Sequence, residues 1–207
     1  MSFKKKLYEN ARKPEGLMGH YTLARMNRRH AKLSDWGLAH LKLFSPLAIA
    51  ELGCGGGRNT EKLMRMFPQA KMYALDYSPT SVAKTEKRCA GAVREKRLEV
   101  VQGNVVSLPW PADTLDMATA FETIYYWPGP VESFREVCRV LRPGGIFMVV
   151  NEDDGENPDY EKWTNRIDEM RLFDKMTLIR ALKDAGFSEF SVDHDEARHW
   201  LCVMARK

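Results

Sequence analysis

The chain has 207 residues, a formal net charge of +4 and an apolar fraction of 44%. That length fits one domain with a sizeable core, and no run of about 18 uninterrupted apolar residues is present to cross a membrane. Cys54, Cys89, Cys138 and Cys202 lie far apart with no C-x-x-C pair, which speaks against a zinc site or a disulfide framework and makes a reducing cytoplasm the default.

Residues 1–46 read as a helical prefix. Residues 1–32 carry nine Lys/Arg and two Glu, a local charge of +7 that leaves −3 for the rest. No apolar stretch follows Met1–Lys6, so no secretory leader is expected. No aromatic-interleaved or Arg-rich recognition motif accompanies the charge, so it reads as a solvated helix face and no nucleic-acid partner is expected. From residue 47 to 207 the pattern changes. Apolar strand-like runs at Leu47–Leu52, Lys71–Leu75, Leu98–Gln102, Leu115–Phe121 and Ile146–Asn151 alternate with helix-like segments. Those segments are Asn59–Phe67, Ser81–Cys89 and Val131–Leu141. The alternation predicts an α/β fold, a Rossmann-like parallel sheet with helices on both faces. Pro143-Gly144-Gly145 reads as a plain turn without ligand contact. Residues 152–176 form an acidic, aromatic-containing insertion, expected to act as a lid. Thr177 is the expected N-cap of a helix ending at Gly186, and Ser188–Asp193 and Trp200–Ala205 read as a closing antiparallel pair. These two runs bring the sheet to seven strands, mostly parallel.

Chemistry concentrates after the first strand. Glu51-Leu52-Gly53-Cys54-Gly55-Gly56-Gly57 reads E-x-G-x-G-x-G, a tight turn off a strand that lets a ligand approach the backbone. Dinucleotide folds instead use G-x-G-x-x-G to seat a pyrophosphate, and an acidic residue ahead of the loop disfavours that anion. Glu51 suits a ligand bearing an ammonium group. Asp76 ends the second strand 19 residues after Gly57, where a carboxylate can accept from two ribose hydroxyls. A nicotinamide-dependent reductase is further disfavoured because no Tyr-x-x-x-Lys pair follows the fourth strand.

This order of motifs resembles the class I S-adenosylmethionine-dependent methyltransferases, closest to the type 11 or ubiquinone-biosynthesis-like branch. Val101-Gln102-Gly103-Asn104-Val105, Arg139-Val140-Leu141-Arg142-Pro143-Gly144-Gly145 and Leu182–Phe187 (L-K-D-A-G-F) match the later motifs, so the resemblance spans about residues 47–205. It implies S-adenosylmethionine as cofactor and S-adenosylhomocysteine as product. It also implies that Glu51, Gly53, Cys54, Gly55 and Gly57 cradle the methionine part, that Asp76 and Tyr77 take the ribose side, and that Asn104 and Val105 take the adenine. Asn104 stands where the family usually has an aspartate. Phe121 and the residues after it are expected to face the sulfonium. Tyr125, Glu122 and His30 are the candidate catalytic residues, with Glu122 expected at the surface or capping backbone. Tyr21 and Trp36 are further candidates to line a closed site, and His20 is an alternative base. The prefix resembles the lid helices of this branch. No metal-ligand cluster is evident.

Asn157-Pro158-Asp159-Tyr160 superficially resembles the N-P-P-Y loop of adenine and glutamine N-methyltransferases. It is rejected: Asp159 replaces the second proline, and the segment follows the fifth strand rather than the fourth. Six Asp/Glu and no Lys/Arg in 151–161 would also repel phosphate. The expectation is therefore an enzyme transferring methyl to a small-molecule acceptor, with an RNA or protein acceptor, or a non-catalytic binding module, as alternatives.

Overall fold

A computed structural model describes residues 12–41, 44–157 and 170–207. Among them the prefix supplies helices α1 (Gly16–Arg29) and α2 (Ala31–Ala39). Then follow β1 (Ala48–Leu52), α3 (Arg58–Met66), β2 (Lys71–Asp76), α4 (Pro79–Arg88), α5 (Ala90–Arg94) and β3 (Leu98–Gln102). After β4 (Leu115–Phe121) and a 3-10 turn (Ile124–Tyr126) come α6 (Pro130–Val140), β5 (Leu141–Asn151), α7 (Lys175–Asp184), β6 (Glu189–Asp195) and β7 (Trp200–Arg206). The strands form one seven-stranded sheet in the order β3-β2-β1-β4-β5-β7-β6. β1 to β5 are parallel, and β7 runs antiparallel to both β5 and β6.

The central strands are buried on both faces, as parallel strands flanked by helices must be. One face packs Phe134 and Val137 of α6 and Leu178 and Leu182 of α7 against Phe147 of β5. Trp127 stacks on Phe147 with ring centroids 6.0 Å apart. The other face buries Leu33 and Leu38 of α2 and Leu63 of α3 against Ile49 and Met148. Phe134 is fully buried, so truncating it to Ala would cost about 3–5 kcal/mol.

Two boundaries and one short helix differ from the sequence reading, each for a local reason. The N-cap of α7 is Asp174, whose carboxylate accepts the Thr177 N–H at 2.8 Å; Thr177 lies inside the first turn. Pro143-Gly144-Gly145 lies within β5, not before it. Leu115 pairs with Leu141 but Met117 with Ile146, so the extra residues bulge out. Gly144 takes a left-handed φ of +78° there and donates to the Lys207 carbonyl at 3.1 Å. The short helix α5 had no periodic apolar signal and was not expected. The insertion 152–176 is only partly described, and the Pro158–Tyr160 part of the rejected motif lies outside the described residues.

Candidate functional site

β1 and β4 are neighbours in the middle of the sheet, and chain connections leave β1 toward one edge and β4 toward the other. Parallel sheets bind ligands beyond the carboxyl ends of their strands at such a reversal. A cavity of about 210 Å³ opens there. Its walls come from the ends of β1, β2, β3 and β4 and from the prefix.

The loop after β1 is anchored before it turns. The Gly53 and Cys54 N–H groups both donate to the Leu75 carbonyl, at 2.7 and 3.1 Å. Gly53 has φ +82°, and a Cβ there would overlap the Thr123 side chain, so only glycine fits. Gly53, Cys54, Gly55 and Gly56 line the cavity. Gly57 is not among the lining residues; it begins α3 as its N-cap, so its part is to turn the chain.

Glu51 and Asp76 both line this cavity. Glu51 is 2% exposed and accepts from the Thr60 hydroxyl. Burial, reinforced by the nearby Asp76 charge and opposed by Thr60, raises its pKa to about 8. Asp76 accepts the Gly55 N–H on Oδ2 at 2.8 Å and the Ser78 N–H on Oδ1 at 2.9 Å. Burial raises its pKa against the pull of those two N–H donors. The Ser81 hydroxyl and the Tyr77 N–H also favour its charged form. Asn104, Val105, Tyr77 and Phe121 also line the wall. Asn104 Oδ1 accepts from the Val106 N–H at 3.3 Å, and the Tyr77 hydroxyl donates to the Arg12 carbonyl.

The prefix closes one side. Leu23, Met26, Asn27 and His30 of this segment face the cavity. The Ser78 hydroxyl holds the Pro14 carbonyl at 2.5 Å, and the Lys84 ammonium holds the His20 carbonyl at 2.7 Å. Asn27 Nδ2 is buried with no hydrogen-bond partner among the described residues, next to the glycine loop at Gly56. An orphaned donor beside a backbone cradle fits a ligand that supplies the missing acceptor.

The far end holds three titratable groups from three elements. His30 Nε2 lies 3.5 Å from Glu152 Oε1 and 3.9 Å from Glu122 Oε2. Glu122 has φ +56°, unusual for a non-glycine residue. Its side chain is only 9% exposed, contrary to the expectation of a surface position, while its Oε1 accepts the Glu152 N–H, the backbone-capping alternative. Burial and the charge of Glu152 raise the Glu122 pKa to about 7, with His30 opposing. Burial depresses the His30 pKa, but Glu152 and Glu122 outweigh it and the net shift is upward. The pKa of Glu152 is lowered, because His30 and Arg29 overcome the effect of its burial. Arg29 contacts Glu152 Oε1 at 2.9 Å.

Four expectations differ here. Tyr125 does not line the cavity. It is 3% exposed, and its hydroxyl donates to Glu122 Oε1 at 3.0 Å; burial and Glu122 keep its phenol protonated. Of the rings that follow β4, Tyr126 and Trp127 line the cavity. Tyr21 is exposed and Trp36 packs on Trp200 and His40, so neither lines the wall. His20 is exposed and does not line it either. The fourth difference is the cluster itself. His30, Glu122 and Glu152 present ligand atoms all within 4.8 Å of one another, although Glu152 had no sequence signal. It becomes visible only once β4 and β5 pair, which sets residues 122 and 152 side by side.

A family model described as "Methyltransferase domain" matches residues 50–149. Trans-aconitate 2-methyltransferase of Methylobacterium nodulans is 29% identical over 155 residues, covering 74% of this chain and 57% of that protein. The 2-methyl-6-phytyl-1,4-hydroquinone methyltransferase of Arabidopsis thaliana is 29% identical over 175 residues, covering 83% of this chain and 47% of that protein. The chain thus spans about half the length of the curated relatives it matches. Among solved structures, a SAM-dependent methyltransferase from Aquifex aeolicus superposes with a TM-score of 0.74 at 18% identity, covering 90% of this chain and 97% of that one. A Haloferax volcanii complex of the Trm112 methyltransferase activator with a putative methyltransferase gives 0.78 at 21% identity, covering 89% and 92%.

Proposed function

We propose that the chain, as a class I S-adenosylmethionine-dependent methyltransferase, transfers a methyl group from S-adenosylmethionine to a small-molecule acceptor. One observation carries the reading: the glycine loop runs between two buried carboxylates, Glu51 and Asp76, that face one cavity. That pairing offers one anion to an ammonium group and another to a ribose diol, and it repels a pyrophosphate. When bound, S-adenosylmethionine supplies a methyl group already activated for in-line displacement. The protein's tasks are positioning, exclusion of water and, for an acidic acceptor, removal of a proton. Asp76 and Tyr77 hold the ribose side, Asn104 and Val105 the adenine side, and Asn27 donates beside the loop. The prefix acts as a lid. The acceptor lies at the end formed by Phe121, Tyr126, Glu122 and His30, where His30 and Glu122 are the groups able to take its proton or hold its charge. Four free buried thiols suit a reducing compartment such as the cytoplasm.

A macromolecular acceptor has the exposed Arg25, Arg28 and Lys32 in its favour. The carboxylates Glu122 and Glu152 at the acceptor end weigh against a nucleic acid. Calorimetric titration with S-adenosylmethionine, S-adenosylhomocysteine and NADH tests the proposal. Binding of the two sulfur compounds alone is expected. Asp76→Ala should weaken S-adenosylhomocysteine by about 1.5–3 kcal/mol, the value of a charge-assisted hydrogen bond. Binding of NADH alone, or unchanged affinity in Asp76→Ala, would overturn it.

A further inference from the structure

We propose that His30, Glu122 and Glu152 bind a divalent cation at the acceptor end of the cavity. The inference rests on reading that cavity as a methyl-transfer site and deepens it. The three residues come from the α1–α2 junction, the end of β4 and the end of β5, so the fold, not the local sequence, assembles them.

Geometry carries the argument. Two sides of the ligand triangle are 3.5 and 3.9 Å, and no side exceeds 4.8 Å. Any triangle with those limits has a point within about 2.4 Å of all three corners, a few tenths of an ångström beyond the roughly 2.0–2.2 Å of zinc–nitrogen and zinc–oxygen bonds, a gap that a small shift of the partly exposed Glu152 side chain closes. Glu122 is already oriented for the task. Its Oε1 is fixed by the Tyr125 hydroxyl at 3.0 Å and by the Glu152 N–H, which leaves Oε2 turned toward His30. Outer hydrogen bonds that hold one oxygen and present the other are the usual support of a metal ligand. Tyr125, which does not line the cavity, thereby acquires a role.

The site opens onto the cavity. His30 and Glu122 line the cavity, and Glu152 stands behind them. Three protein ligands with the remaining positions facing a cavity is the pattern of ions that take a substrate rather than brace a fold. One imidazole and two carboxylates suit a borderline ion such as Mn²⁺ or Zn²⁺ better than Mg²⁺. Arg29 shares Glu152 Oε1 with His30; its side chain is 45% exposed, so it can swing toward water as the ion enters. The acceptor class that follows is one offering a hydroxyl or carboxylate oxygen, which would complete the coordination next to the transferable methyl.

The test uses the full chain stripped of metal by a chelator. MnCl₂, ZnCl₂ and MgCl₂ are titrated by calorimetry, with electron paramagnetic resonance for Mn²⁺, and S-adenosylhomocysteine is titrated in parallel. One Mn²⁺ or Zn²⁺ per chain is expected, with Mg²⁺ weaker. Glu152→Gln and His30→Ala should each weaken it about tenfold or more, and exposed Glu189→Gln should not. Thermal unfolding of each variant separates ligand loss from misfolding, and Glu152→Gln perturbs least because that side chain is 28% exposed. Absence of Mn²⁺ and Zn²⁺ binding, or binding that survives both substitutions, overturns the cation site. If S-adenosylhomocysteine still binds in that case, the methyl-transfer reading stands. Cation binding without S-adenosylhomocysteine binding supports the ion site and sinks the methyl-transfer reading.

Discussion

Glu51 sits at the end of β1 with no cation contacting it among the described residues, and its chemistry is set by that position. Burial and the charge of Asp76 raise its pKa to about 8, so the folded chain holds a proton that the unfolded chain releases near the ordinary carboxylate value. Stability from this group is full below that ordinary value and is lost as pH rises through about 8. Thermal unfolding of the ligand-free protein should therefore show a falling midpoint between pH 5 and 8, and Glu51→Gln should flatten the slope. A ligand ammonium favours the opposite form. S-adenosylmethionine should bind more tightly as pH rises over that interval and release a proton, seen as a buffer-dependent enthalpy in calorimetry. A pH-independent midpoint in the wild type would show that Glu51 is ionised throughout. Glu51 and Asp76 were legible in the sequence because both stand beside strand ends and a glycine loop. The Glu122–Glu152 approach was not, since thirty residues separate the pair and only the β4–β5 register joins them.

At the scale of elements, periodicity located every strand run and four of the helices, because each buries one stripe or both faces against the sheet. Boundaries were less legible where two residues compete for one role. Asp174 and Thr177 are both good caps, and the backbone chose Asp174, which accepts the Thr177 N–H at 2.8 Å and its hydroxyl at 2.6 Å. Asp174→Ala should therefore cost about 1 kcal/mol, while Thr177→Ala, which removes only the second bond, should cost less. Denaturant unfolding of the two variants checks this, and a larger loss at Thr177 would reverse the assignment. The P-G-G bulge misled for a related reason. Proline and glycine mark irregular backbone, but not whether that backbone interrupts a strand or precedes it, and the C-terminal Lys207 pairing decides the matter here.

The whole molecule depends on how the prefix joins the sheet. α2 lies across the ends of β4 and β5, and Gly37 is the point of closest approach. A Cβ at Gly37 would stand 2.8 Å from Val150 Cγ2 and 3.1 Å from Phe121 Cε1. Phe121 immediately precedes Glu122, and Val150 lies two residues before Glu152. His30 sits between α1 and α2, so any tilt of α2 moves His30, and with it Asn27 and Leu23, away from the cavity. Gly37→Leu should then destabilise the protein by roughly 1–3 kcal/mol through overpacking. It should also weaken S-adenosylhomocysteine, although Gly37 does not line the cavity. The β-core, whose seven strands pair without the prefix, should keep its far-UV circular dichroism. Loss of affinity with an intact core spectrum would establish the prefix as a wall of the site. Unchanged affinity with a lowered unfolding midpoint would assign it to stability alone, leaving His30 too far from the ligand to act on it.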